Sequence, residues 1–430
     1  MKKSLLPENA LKRVLAVMLM MLMLLQNVSV AFAASPGEYR NKISKNVYKA
    51  FEKNDKVSFI VKMKEQPDPM KIAYKTQMMR TTRRLPKAEQ EKKIHKAVVK
   101  SMSKESKNTQ KDLVKYLKEQ KKTGNVETFE SFYIVNSISV TATKTVAEKL
   151  AKSPLVTKIL PDRIQTLPPD EDMMEVTAQK SLQAETPWNL RSISQDKAKE
   201  LGYDGEGVVV GIIDTGVDVN HAALKEGWRG NEKDMETFSW LDLDDEHKTD
   251  QPSDIGGHGT HVAGTILGRK DNNGNHLGVA PKAKWIAARV FTDEGASTSK
   301  LIKAGQWMLA PTDKEGKPHP EHAPKIINNS WGGNADDGFY REVIKAWRSV
   351  GIVPVFAAGN TTMTNPGGEG SIGTPAKYQE AFAVGALKRD DGLAKFSLRG
   401  PSKDADVKPD ISAPGVNIRS AAPGGGYVLM

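Results

Sequence analysis

Val208-Val209-Val210-Gly211-Ile212-Ile213-Asp214 is a continuous apolar run that ends in a carboxylate. A run of this kind suits a strand buried on both faces, because a half-exposed strand alternates apolar with polar residues. Trp285-Ile286-Ala287-Ala288-Arg289-Val290, Lys325-Ile326-Ile327-Asn328 and Val353-Pro354-Val355-Phe356-Ala357-Ala358 repeat the pattern. Helical stretches over 300–308 and 341–349 separate them. Strands alternating with helices predict an α/β fold, a three-layer doubly wound parallel sheet, over 188–430. Functional residues then belong at the carboxyl ends of the strands.

Working back toward the amino end, the texture changes. Leu167-Pro168-Pro169-Asp170-Glu171-Asp172 opens a polar linker assigned to 167–187. Before it, 34–166 reads as a small α+β domain. Val57 to Met63 is a strand candidate, and Pro86 and Gly124 bracket a long helix. Strands around Phe132-Tyr133-Ile134-Val135, Ile138-Ser139-Val140 and Val156 to Leu160 follow, with a helix through Val146 to Leu150. That β-α-β-β-α-β order predicts a ferredoxin-like domain.

The first 33 residues read as a secretory signal. Lys2, Lys3, Lys12 and Arg13 precede an apolar run from Val14 to Leu25, and Ala31-Phe32-Ala33 offers a small-x-small cleavage site. A run of 12 residues is too short for a membrane span, which needs about 20. The sequence thus predicts a protein exported from the cell, with no membrane association after signal cleavage.

The chain has 430 residues, a net charge of +11 and no cysteine. Disulfides, thiolate nucleophiles and cysteine-held metals are excluded. The charge is unevenly spread: residues 36–165 carry a net +16 and residues 166–430 a net −8. Two parts of opposite sign are expected to bind each other, and no nucleic-acid partner is predicted.

Three polar groups fall where the predicted sheet puts a site. Asp214 ends one strand, Gly359-Asn360 ends another, and His258 lies in the glycine-rich turn Gly257-His258-Gly259-Thr260-His261, just before a helical stretch from Val262. An Asp after a strand is more often a turn or cap residue, and a His among glycines is usually structural. It is the combination that points to acid–base chemistry. A metal-hydrolase reading, with Asp214, His258 and His261 or with His319 and His322 as ligands, is set aside, because no helical His-Glu-x-x-His spacing occurs.

With these flanks the chain resembles the subtilisin-like serine protease family. The matching blocks are Val210 to Val217, Gly257 to Thr265, Ile327 to Gly333, Val355 to Asn360, Phe382 to Ala386 and Asp410 to Gly415. The region before the linker resembles the family's inhibitory propeptide. The resemblance implies a secreted endopeptidase precursor, processed and monomeric, that cleaves peptide bonds through an acyl-enzyme. In it His258 is the general base, Asp214 its orienting acid and Asn360 an oxyanion donor. Gly295, Ala296 and Ser297, with Ser330, Trp331 and Gly332, are the two edges that hold a peptide substrate. The propeptide is an intramolecular inhibitor whose residues 162–165 run toward the cleft, and His261 is a packed companion of His258. No cofactor is required, and a structural calcium near Asp271, Asn273 and Asn275 is weighed evenly against a plain turn.

The family also expects a serine in a Gly-Thr-Ser-Met-Ala-type segment after Gly415, and the chain contains none. Ser371 and Ser412 lie in unsuitable contexts. The expectation is therefore a peptidase domain truncated before its nucleophile and inactive as written. The alternative is a non-catalytic remnant or binding protein from an interrupted gene.

Overall fold

The computed structural model describes residues 38–167, 174–175, 186–271, 274, 276–334 and 338–430. The predicted signal and most of the 167–187 linker lie outside these residues. The described residues form two compact units, one from 38–65, 109–131 and 137–161, the other from 66–108, 132–136 and 162 onward. Segments on the amino-terminal side of the linker thus belong to both.

The smaller unit holds β1 (Lys56–Met63), β2 (Val126–Phe132), β3 (Ser137–Thr143) and β4 (Val156–Pro161) in the order β2-β3-β1-β4. β1 runs antiparallel to β3 and to β4, which is the ferredoxin-like arrangement. Phe59, Val61 and Met63 of β1 join Ile138, Val140 and Ala142 of β3 in one core. Leu113 and Leu117 of the long helix Lys87–Lys122, and Val146 and Leu150 of the helix Lys144–Ala151, cover it. Pro86 and Gly124 bracket that long helix as predicted, with Gly124 at φ +77°.

One strand assignment needs correcting. β2 ends at Phe132, and 133–136 form a turn. Ile134 and Val135 are apolar because the turn is buried, which a local apolar run cannot distinguish from a strand.

The larger unit holds the short strands β5 (Ile164–Gln165) and β6 (Met174–Glu175), then β7 (Val209–Asp214), β8 (Trp240–Asp242), β9 (Lys284–Arg289), β10 (Ala296–Ser297), β11 (Ile326–Asn329), β12 (Val353–Ala357), β13 (Phe382–Leu387), β14 (Ile411–Pro414), β15 (Arg419–Ala421) and β16 (Tyr427–Leu429). Seven of them form a sheet in the order β14-β13-β12-β11-β7-β9-β8, and every pairing is parallel. Val210 and Ile212 of β7 pack with Ala263 and Leu267 of the helix His258–Leu267. Gly211 points the other way, where a Cβ would come within 2.6 Å of Met308 Sδ on the helix Thr298–Leu309. The two helices therefore cover opposite faces, which makes the three layers.

Behind β11 and β12, Trp331, Tyr340, Trp347 and Phe356 meet edge to face with centroids 4.7–6.1 Å apart. Such pairs contribute about 0.5–1.5 kcal/mol each beyond burial. Among the described residues no helix is long and apolar enough to cross a membrane.

Candidate active site

Asp214 closes β7 at the carboxyl edge of the parallel sheet and is fully buried. His258 is the first residue of its helix and lies beyond the left-handed Gly257 (φ +80°), so the expected glycine turn is already a helix start. Its Nδ1 lies 2.7 Å from Asp214 Oδ1, which also accepts a 2.8 Å bond from the Thr215 N–H. Asp214 Oδ2 has no hydrogen-bond partner among the described residues. Gly259 makes this approach feasible, since a Cβ there would sit 2.0 Å from the Gly216 carbonyl and 3.1 Å from Asp214 Cβ.

Asp254, which the sequence reading passed over, organises this corner. Its Oδ1 accepts from Gly256 N, Gly257 N and Thr215 Oγ1, and its Oδ2 from Thr260 N and Oγ1. It thereby satisfies orphan N–H groups at the start of the helix that carries His258. An Asp just ahead of a glycine turn and a helix is a readable capping signal. Arg289 ends β9 in register with Asp214, forms a buried bidentate pair with Asp242 and donates to Ser253 Oγ at 2.9 Å. The loop that carries Asp254 is thus fixed from both sides.

Asn360 follows the carboxyl end of β12, half-buried and bridged to Ser397. One strand, β11, separates β12 from β7, which puts Asn360 and Asp214 on the same edge of the sheet roughly 10 Å apart in strand spacing. His261 is buried on the next helical turn, with Nε2 2.9 Å from the Ile418 carbonyl, and burial lowers its pKa to about 4.

One of the two expected substrate edges is already paired with another strand. β10 pairs antiparallel with β5, Ala296 opposite Gln165 and Ser297 opposite Ile164. Gly295 backs onto the Gln165 carbonyl, and the Gln165 side chain lies against Gly333, a residue outside the predicted edge. Gly333 is fixed by two reciprocal bonds with Thr374, of 2.9 and 2.7 Å. Ser330 accepts from Asn328 Nδ2, whereas the Trp331 ring is 3% exposed and belongs to the aromatic core.

The helix Thr298–Leu309 is gripped at both ends. Asp162 accepts from Ser299 N at 2.8 Å and from its hydroxyl at 2.5 Å, next to the Ser297 cap. At the other end Gln306 Oε1 accepts from Tyr133 and Ile134 N–H, and His95 Nε2 donates to the Leu309 carbonyl at 2.8 Å.

Of the residues weighed for a structural calcium, only Asp271 is among the described ones. Asp271 Oδ2 is 2.9 Å from the Arg419 guanidinium, so a cation already occupies that oxygen. Asn273 and Asn275 lie outside the described residues.

A family model described as "Subtilase family" matches residues 205–429, and one described as "Peptidase inhibitor I9" matches 58–168. The chain belongs to the subtilase family. It is 44% identical over 398 residues to bacillopeptidase F of Bacillus subtilis (strain 168), an alignment covering 90% of this chain and 28% of that protein. It is 30% identical over 342 residues to subtilisin E of the same organism, covering 79% and 76% respectively. With subtilisin DY of Bacillus licheniformis it shares 32% over 245 residues, 57% and 77%. The chain therefore spans little more than a quarter of bacillopeptidase F but about three quarters of the shorter subtilisins. The subtilase block ties the parallel sheet to a serine-peptidase family, and the I9 block accounts for the ferredoxin-like unit.

Proposed function

We propose that the chain is the precursor of a secreted serine endopeptidase in which His258 is the general base, Asp214 its orienting acid and Asn360 an oxyanion donor. The 2.7 Å contact of His258 Nδ1 with a fully buried carboxylate carries this reading. It keeps the proton on Nδ1, so Nε2 is the nitrogen that would take a proton from a serine hydroxyl and return it to the leaving amine. The imidazolium formed in that step meets a desolvated counter-charge. Removing an oxyanion donor of the Asn360 type from a subtilisin costs about 2.7–4 kcal/mol. Every group in this scheme is a side chain, so no catalytic metal is needed.

No serine of residues 1–430 stands in the family's Gly-Thr-Ser context. The nucleophile is therefore assigned to sequence outside them, and a polypeptide of these residues alone is expected to be inert. A peptide substrate would add a strand along 295–297 and 330–333. β5 already pairs with β10 at the first of these edges, which supports autoinhibition by the pro-region 34–166, and self-cleavage is proposed within 166–187. Export through the leader at 1–33 and action as a monomer complete the proposal.

The test is hydrolysis of a succinyl-tetrapeptide nitroanilide by the product of the whole gene. His258→Ala should lower the rate by at least about 10⁴-fold, and a variant as fast as the parent would refute the assignment. The 430-residue polypeptide should neither cleave the peptide nor react with a fluorophosphonate. Labelling of Ser371 or Ser412 would move the nucleophile inside it.

A further inference from the structure

At the opposite edge of the parallel sheet, the loop that enters β11 gathers three metal-ligating side chains. His319, Glu321 and His322 each offer a ligand atom within 4.8 Å of the others. They lie on and beside the 3₁₀ turn Pro320–His322, whose proline sets the first helical position. We propose that His319, Glu321 and His322 form a binding site for a divalent transition metal of the zinc, cobalt or nickel class, structural in role and separate from the active site.

The preorganisation of His319 argues for this most strongly. Its Nε2 is 2.9 Å from Asp313 Oδ2, and Asp313 Oδ1 accepts from Glu315 N and Lys317 N in a tight turn. The imidazole is thus oriented by a carboxylate that is itself fixed, the second-sphere arrangement that metal-binding histidines use. The opposite nitrogen, Nδ1, faces Glu321 Oε1 at 3.4 Å. His322 is steadied on two sides. Phe238 lies against its ring at 4.3 Å between centroids, and Arg229 Nη1 donates to its carbonyl at 2.6 Å. The two imidazoles stack with an angle of 28° between planes.

Two imidazoles and one carboxylate select a borderline metal over calcium, which prefers all-oxygen shells. Metal–ligand bonds of about 2.0–2.2 Å need ligand atoms roughly 3.4 Å apart in a tetrahedron. Modest side-chain rotation closes the present spacing, and water would complete the shell. Two cations oppose binding: Arg229 beneath His322, and Lys96, whose ammonium lies 3.6 Å from Glu321 Oε2. Asp313 and Glu321 balance them. The loop precedes β11, so the ion would sit near the amino ends of the strands, away from Asp214 and Asn360 at the carboxyl ends. It would lock the turn 319–322 within the segment between the helix Thr298–Leu309 and β11.

The full chain, stripped with chelator, should be titrated with Zn²⁺ by calorimetry and with Co²⁺ by visible absorption. One equivalent should bind, and His319→Ala or His322→Ala should weaken Zn²⁺ at least tenfold. Glu321→Gln, a near-isosteric change that spares the fold, should weaken it severalfold, whereas Lys96→Ala keeps all three ligands and should strengthen it. Zn²⁺ binding that survives the His319→Ala/His322→Ala double variant, or that disappears in His258→Ala, would place the ion elsewhere and overturn the proposal. So would the absence of any binding by the parent chain.

Discussion

The four-stranded and the seven-stranded sheet solve the same burial problem in opposite ways. In the smaller unit β2 is buried only at its ends, and β3 alternates buried with half-buried residues. In the larger unit β7 and β9 are buried from their second residue to their last. A sheet covered on both faces leaves its strand ends as the places for polar groups, and a parallel sheet collects all its carboxyl ends on one edge. Asp214, Arg289 and Asn360 gather there for that reason. The antiparallel sheet has no such edge. Its contribution to the site lies beyond its last strand, in Asp162 and β5, which belong to the larger unit.

The largest test of this contrast is at the carboxyl edge. Asp214→Asn should leave the fold intact and lower peptide hydrolysis by the whole-gene product about 10⁴-fold through the wrong His258 tautomer. A loss of only a few fold would mean that the edge does not organise the chemistry. Next comes the core of the smaller sheet. Phe59→Ala empties a fully buried site and should cost about 3–5 kcal/mol, read as a shift of that unit's urea midpoint. The Asp214–His258 contact should persist below that midpoint.

The pH response should also separate the units. All eight histidines lie outside the segments that build the smaller one. His261 protonates near 4 in the fold because burial disfavours its cation, against 6.5 unperturbed. The stability it provides is complete above pH 6.5 and is lost as pH falls toward 4, because the unfolded chain accepts a proton that the fold refuses. The loss is on the order of 3 kcal/mol. Between pH 6.5 and 5 amide protection, corrected for the base-catalysed intrinsic exchange rate, should fall in the larger unit only. His261→Gln should reduce that slope, while His95, also lowered to about 4 by burial, keeps its own share. The smallest expected effect is that of Asp162→Ala, which leaves Ser299 N without its acceptor and its hydroxyl with Ser297 Oγ alone. It should cost about 1–3 kcal/mol, read as faster exchange at Ser299 and Ile164 with no change in the smaller unit's melting.

Much of this architecture is written locally. Apolar runs of strand length, closed by Asp214 and by Gly359-Asn360, mark β7 and β12. Pro86 and Gly124 mark a helix because each restricts or frees its own backbone. Where a residue's meaning depended on distant partners, the sequence misled or was silent. Ile134 and Val135 looked like strand because a buried turn is as apolar as a buried strand. The sequence was silent on the Trp331 ring, which completes an aromatic core formed with Tyr340, Trp347 and Phe356.

The sequence by itself determined the fold class and the family, and it marked Asp214 and Asn360 after strands and His258 in a glycine-rich turn. These follow from short-range periodicity and from motifs of a few adjacent residues. Only the tertiary structure decided that Asp254 caps the helix of His258, that Gln165 lies against Gly333, and that Asp313 aims His319 toward Glu321. Those contacts join residues whose separation along the chain carries no period, so they exist only once the sheet has brought its loops together.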